Sequence, residues 1–419
     1  MKHYKHIIIA VFTFSILGTP WLINTFPKSI YYIDNVFSYA NNLGAVFLRE
    51  AVTIIGLKDK YNKVDATQVK IRVLIVPGHE PDFGGTEFGD LKEREMTVEI
   101  SKYLEGFLRD NSHYEVFVSR DSEAWNASIK SYFDNNWELI KSFVKDSKSE
   151  MLRLVNNGSV TKVTEGVIHN NAPTNVALRL YGINKWANEN KIDMIVHLHF
   201  NDYPRQNLSI AGRYSGFSIY VPEKQYSNST TAKAIADSIF KRLSKYNAVS
   251  DLPVEDSGVV EEQELIAIGS YNTLDAPSVL IEYGYIYEAQ FVDKYVRSTN
   301  LKDLAFQTYL GIQDFFGAGN DVSLAYDTLM LPYEWKDNMT KDSKDKDAVL
   351  ALQTALLLEH VYPPENKTRN ECPRSGRFGP CTSTALAEFQ RKNGIKNESE
   401  KVGEETKKIL NGKYSVQIR

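Results

Sequence analysis

Cysteine is nearly absent. Of 419 residues only Cys372 and Cys381 carry a thiol, which excludes a four-thiolate zinc site and a scaffold held by several disulfides. Any metal must therefore sit on imidazoles and carboxylates. Histidine is scarce as well, with eight in the chain, so candidate ligands form a short list. Neither sign of charge dominates: 49 basic against 53 acidic side chains leave −4, spread along the chain with no polybasic field to gather phosphates. Nucleic acid is not an expected partner. No internal repeat or low-complexity tract occurs. Against these absences, a hydrophobic share of 42% is ample for packed cores and too high for global disorder. At roughly 150 residues per domain the length implies two or three folded units.

The long apolar stretch lies at the amino terminus, where Lys2 and Lys5 precede a run continuing from Ile7 to Phe26. At about 1.5 Å per residue it just spans a ~30 Å hydrocarbon layer, and no Ala-x-Ala cleavage site follows. Residues 1–27 are thus expected to be a signal peptide or membrane anchor. The leading lysines favour an exported remainder in the cell envelope, outside the cytoplasm. A juxtamembrane segment, 28–68, follows. From residue 69 to 320 short apolar runs alternate with helical periodicities, as in βαβ units. The strand candidates are Ile71 to Val76, Tyr114 to Ser119, Met194 to His199, Phe217 to Val221 and Ser278 to Ile281. Helices are read over Glu93 to Leu108, Thr231 to Tyr246 and Leu301 to Phe315. The expected class is α/β, a mostly parallel open sheet flanked by helices. A charged stretch, 336–347, reads as a linker to a small all-α domain, 348–413.

Chemistry concentrates at strand ends. His79 follows IRVLIVPG, His199 closes MIVHLH and Glu282 ends SVLIE. In an open parallel sheet ligands bind outside the carboxyl ends of the strands, so three strands deliver His, His and Glu to one rim. Glu93 opens a helix just past a loop containing Gly84, Gly85 and Gly89, and its carboxylate can return to that rim. Two imidazoles and a carboxylate suit a catalytic zinc with an open fourth position, a further carboxylate accepting a proton. His197 and His199 share a strand face, and spacing alone does not say which of them binds metal.

These motifs resemble the zinc-dependent N-acetylmuramoyl-L-alanine amidases of the third type. The opening strand, Gly-His and glycine-rich loop look like VLIVPGHEPDFGGTEFGDLKERE; HLHFN, 197 to 201, matches Ser-Ile-His-Ala-Asn; PSVLIEYGY, 277 to 285, matches the closing motif. The resemblance spans residues 71 to 316. It implies one zinc ion on His79, Glu93 and His199, with Glu282 as catalytic carboxylate and peptidoglycan as substrate. The scissile bond would be the amide between N-acetylmuramic acid and L-alanine. Two departures are local: Glu80 and Pro81 replace glycines after the first His, and His197 replaces Ser, so Glu80 and His197 are candidates for supporting the ligands. The rival readings are an inactive wall-binding tether and a zinc peptidase acting on stem peptides.

The tail resembles a three-helix peptidoglycan-binding domain, carried by Leu352, Gln353, GRFGP at 376 to 380, Thr382, Phe389, Gln390, Gly403 and Thr406. Cys372 and Cys381 flank that turn and, in an oxidising compartment, are expected to pair. An insertion, 122–173, follows Arg120 and Asp121. Its apolar positions Trp125, Ile129, Tyr132, Phe133 and Trp137, then Ile140, Phe143 and Val144, recur at helical spacings and would either pack on the domain's flank or lid the cleft.

Overall fold

The structure is a computed structural model and describes residues 52–163, 172–205, 207–319, 326–398 and 400–415. The expected signal or anchor at 1–27 lies outside the described residues. Among the described residues no helix is long and apolar enough to cross a membrane.

Strand β1, Ile71–Pro77, is apolar on both faces, as a central strand covered from both sides must be. It pairs in parallel with β2, Tyr114–Val118, and with β3, Met194–Asn201. Beyond β3 come β4, Ser218–Pro222; β5, Val259–Glu262; and β6, Ser278–Tyr285. The six-stranded sheet has the order β2-β1-β3-β6-β4-β5. All neighbours are parallel except β6 and β4, which run antiparallel. The five strands expected from hydrophobic runs are present. The sixth, β5, escaped the sequence reading because VVEE is a short, half-polar edge segment with too few apolar positions to register.

Alternation divides the core. Ile71, Val73 and Ile75 face one side and Leu74 and Val76 the other. The first side is covered by α1, Ile54–Asn62; α2, Glu93–Arg109; α5, Ser229–Tyr246; and α6, Lys294–Phe316. Helix α2 has a sequence-legible stripe, Met96, Ile100, Leu104 and Leu108, buried at successive turns. The opposite side is covered by α3, Ala127–Asn156, and α4, Thr174–Glu189. Helix α3 is the body of the insertion. Its apolar residues Ile129, Phe133, Ile140 and Val144 cluster with Tyr181, Ile183 and Trp186 of α4. That face is covered by α4. Each such side chain contributes about 1.5–3 kcal/mol on burial.

Three further helices close the chain: α7, Lys346–Leu358; α8, Pro380–Lys392; and α9, Glu404–Tyr414. They enclose a second apolar cluster that includes Leu352, Leu356, Leu386, Phe389 and Leu410. In the preceding stretch Trp335 is buried and Met339 bridges to Val402. Cys372 and Cys381 are disulfide-bonded with Cα atoms 5.9 Å apart. The segment around Cys372 reaches the α/β part: Asn370 Nδ2 donates to Ser215 O and Val249 O, and Arg374 Nη2 lies 3.3 Å from Asp303 Oδ2 on α6.

Candidate metal centre

The strand register builds the site. His199 stands opposite Glu282 where β3 pairs with β6, and Pro77 at the end of β1 stands opposite Leu198. The chain then turns at Gly78 and His79, the latter in the left-handed region at φ 68°. That turn carries the His79 ring back over the strand ends, 4.9 Å from the His199 ring. Glu93 is the first residue of α2, its amide held by Thr86 O. The three side chains meet: one ligand atom from each of His79, Glu93 and His199 lies within 4.8 Å of the others.

Close approach explains two of the surrounding glycines. A Cβ at Gly78 would stand 2.4 Å from His199 Cε1. At Gly85, with φ +82°, it would stand 3.0 Å from His79 Cδ2 and 3.1 Å from Glu93 Cβ. Both positions admit only hydrogen while the ligands keep their places.

Glu93 is fixed at both oxygens. Oε2 accepts from Thr86 N at 2.9 Å and Oε1 from Phe200 N at 3.1 Å. His199 Nδ1 lies 3.0 Å from Oε1 and His79 Nε2 lies 2.8 Å from Oε2. The His79 contact lacks hydrogen-bond alignment, as expected of lone pairs directed at a common point rather than at each other. Burial opposes the Glu93 charge, yet His79 and His199 hold its carboxyl far below the usual carboxylate range. Burial also pushes the His199 imidazole down, and a neutral imidazole is the form that binds metal. The donor set of two imidazoles and one ionised carboxylate fits a zinc ion.

Glu282 sits beside this set without joining it. Its Oε2 is buried with no hydrogen-bond partner. Burial, then the negative charges of Glu93 and Glu255, hold its carboxyl well above the usual carboxylate range. A carboxyl beside a metal set is placed to carry a proton.

The two supporting candidates divide. His197 lies one row below His199 on the same strand face, buried; burial and then His199 push its imidazole down to about 3, so it stays neutral. Glu80 turns to the insertion: its Oε2 accepts from Trp125 Nε1 at 3.2 Å and lies 3.1 Å from Arg179 Nη1. Among the other histidines, His113 stacks on Tyr61 at 4.4 Å.

Sequence reasoning missed three contributors. Arg120, at the end of β2, buries its guanidinium against the turn, donating to Pro77 O, Gly78 O, Arg94 O and Asp121 O. Burial brings it down to about 10, with Glu80 and Glu93 opposing. Its strand-end position was the available clue. Asp202 accepts from Thr86 Oγ1 at 2.6 Å and pairs with Arg205 at 2.9 Å, tying the glycine-rich loop to the end of β3. Glu255, fully buried, accepts from Asn201 Nδ2 at 2.9 Å and from the hydroxyls of Tyr220 and Ser250. It lies on a loop without pattern, and nothing in the sequence marked it.

No curated protein matches the chain. Similar solved structures include the CwlD amidase of Clostridioides difficile in complex with the GerS lipoprotein, at 16% identity and TM-score 0.39, over 59% of this chain and 99% of that one. Another is the N-acetylmuramyl-L-alanine amidase Ami1 of Mycobacterium smegmatis, at 15% identity and TM-score 0.39, over 60% and 100%. A third is an N-acetylmuramoyl-L-alanine amidase of Clostridium difficile 630, at 18% identity and TM-score 0.35, over 61% and 99%. The family model described as N-acetylmuramoyl-L-alanine amidase matches residues 73–314, more than half of the chain and running from within β1 to within α6, so the chain belongs to the N-acetylmuramoyl-L-alanine amidase family.

Proposed function

We propose that the family's hydrolysis of the amide between N-acetylmuramic acid and the stem-peptide L-alanine runs at the rim formed by His79, Glu93, His199 and Glu282, with one zinc ion. The observation that carries this reading is the convergence of three ligand atoms within 4.8 Å beside a fourth, upshifted carboxyl. Zinc on such a set supplies Lewis-acid activation of the amide carbonyl and of water.

The chain's own residues do the rest. Glu93, locked by two backbone amides, keeps both imidazoles in register. The Glu282 carboxylate accepts a proton from the attacking water and returns it to the departing L-alanine nitrogen. Arg120 holds the carbonyls of the turn that presents His79. His197 remains neutral beneath the site.

Three further features belong to this reading. The lysine-led apolar stretch at 1–27 exports the chain and serves as signal peptide or anchor. The pairing of Cys372 with Cys381 accords with an oxidising compartment outside the cytoplasm. The helices α7 to α9 form a peptidoglycan-binding domain that supplies affinity for the wall. Digestion of purified sacculi by zinc-quantified enzyme tests the whole: release of free L-alanine amino termini supports it. Cleavage within the stem peptide would instead indicate a peptidase, and binding without cleavage a tether.

A further inference from the structure

The antiparallel pairing of β4 with β6 places Ser218 directly opposite Glu282, and β3 places His199 opposite Glu282 from the other side. Directly paired residues point their side chains to the same face, with Cβ atoms roughly 5 Å apart. His199, Glu282 and Ser218 therefore form one row across the sheet. Ser218 is fully buried and its Oγ has no hydrogen-bond partner; Glu282 Oε2, also buried, has none. Two unpartnered polar oxygens, a donor and an acceptor, thus belong to directly paired residues on one sheet face. A buried polar atom without a partner is costly, and rotation between staggered side-chain wells is the small change that joins these two.

Glu93 and Glu255 are carboxylates, His199 Nδ1 is engaged with Glu93 Oε1, and the Tyr220 hydroxyl donates to Glu255. His197, whose ring nitrogens also lack a partner, stands opposite Leu280 one row back on the sheet, so Ser218 is the hydroxyl in Glu282's own row. We propose that Ser218 is a positioning residue for the reaction: its hydroxyl donates to Glu282 Oε2, fixing the carboxylate plane so that the other oxygen faces the attacking water. The inference rests on the proposed role of Glu282 as proton carrier.

The test uses full-length, zinc-quantified enzyme on a soluble muramoyl peptide. Ser218→Ala is expected to keep its zinc and its KM while kcat falls about tenfold, the scale of one hydrogen bond to a charged group. Ser218→Thr, which keeps the hydroxyl, is expected to recover most of that loss. Unchanged kcat in Ser218→Ala overturns the proposal, as does a loss that follows zinc content or KM, or a folded, zinc-loaded Ser218→Thr as slow as Ser218→Ala. A crystal structure of the zinc-loaded wild type decides independently of folding in the variants. Oγ within about 3 Å of Oε2 supports the assignment, and Oγ bonded to a backbone carbonyl instead contradicts it. An inactive wild type sinks the amidase reading itself, whereas an active wild type beside a normal Ser218→Ala sinks only this inference.

Discussion

A single methyl group is enough to test the crowding around the ligands. Because a Cβ at Gly78 would lie 2.4 Å from the His199 ring, Gly78→Ala must displace either the imidazole or the turn carrying His79. We expect it to fold and to lose most of its bound zinc, measured by metal analysis after dialysis; wild-type zinc content would contradict the geometry. Arg120 acts on the same turn from the other side. Arg120→Met removes its donors to the carbonyls of Pro77 and Gly78; Gly78 O keeps the Thr97 hydroxyl, and each lost bond to the charged donor costs about 1.5–3 kcal/mol. Its thermal midpoint and zinc affinity should both fall, and a variant matching the wild type in both would rule out the role given to Arg120. The four residues of the centre were legible because each stands at the end of a strand or the start of a helix, where an apolar run stops at a polar side chain. Glu255 and Asp202 were not, because loops set their positions and no periodicity reports on loops.

At the scale of elements, buried strands and amphipathic helices announced themselves through runs and stripes, and β5 did not because VVEE is half polar and lies at the sheet's edge. The insertion shows how far pattern carries. Helical spacing found the apolar face of α3, but what that face covers depends on α4, which the spacing cannot place. With Ile140 fully buried against α4, Ile140→Ala should cost about 2–5 kcal/mol of stability. Chemical denaturation measures this, and a loss under 1 kcal/mol would mean that α3 is a loosely held cover. Among the described residues, Trp125 on Glu80 links the insertion's entry to the turn after His79. It marks where movement of the flank would reach the ligands.

The molecule as a whole joins its α/β part to the carboxyl-terminal helices through a buried ion pair. Arg374 and Asp303 have side chains 5% and 2% exposed, and Arg374 also donates to Tyr246 O and Thr354 Oγ1. Removing one partner of such a pair typically costs 3–5 kcal/mol. Arg374→Ala is therefore expected to lower the calorimetric midpoint and to split a single transition into two, the α/β part separating from α7 to α9. A wild-type thermogram with two separate transitions would contradict this coupling. The sequence pattern marked the charged stretch and the helices beyond it, but not the joint, whose residues lie 71 positions apart in the chain.

The central claim is that Glu282 carries the proton while His79, Glu93 and His199 carry the metal. Mass analysis of purified peptidoglycan, digested in parallel by wild-type enzyme and by Glu282→Gln at equal measured zinc content, tests it most directly. The wild type is expected to release glycan strands and stem peptides with free L-alanine amino termini. Glu282→Gln is expected to be zinc-loaded but inert. Near-normal release by Glu282→Gln, or a wild type that cleaves without any bound metal, would contradict it.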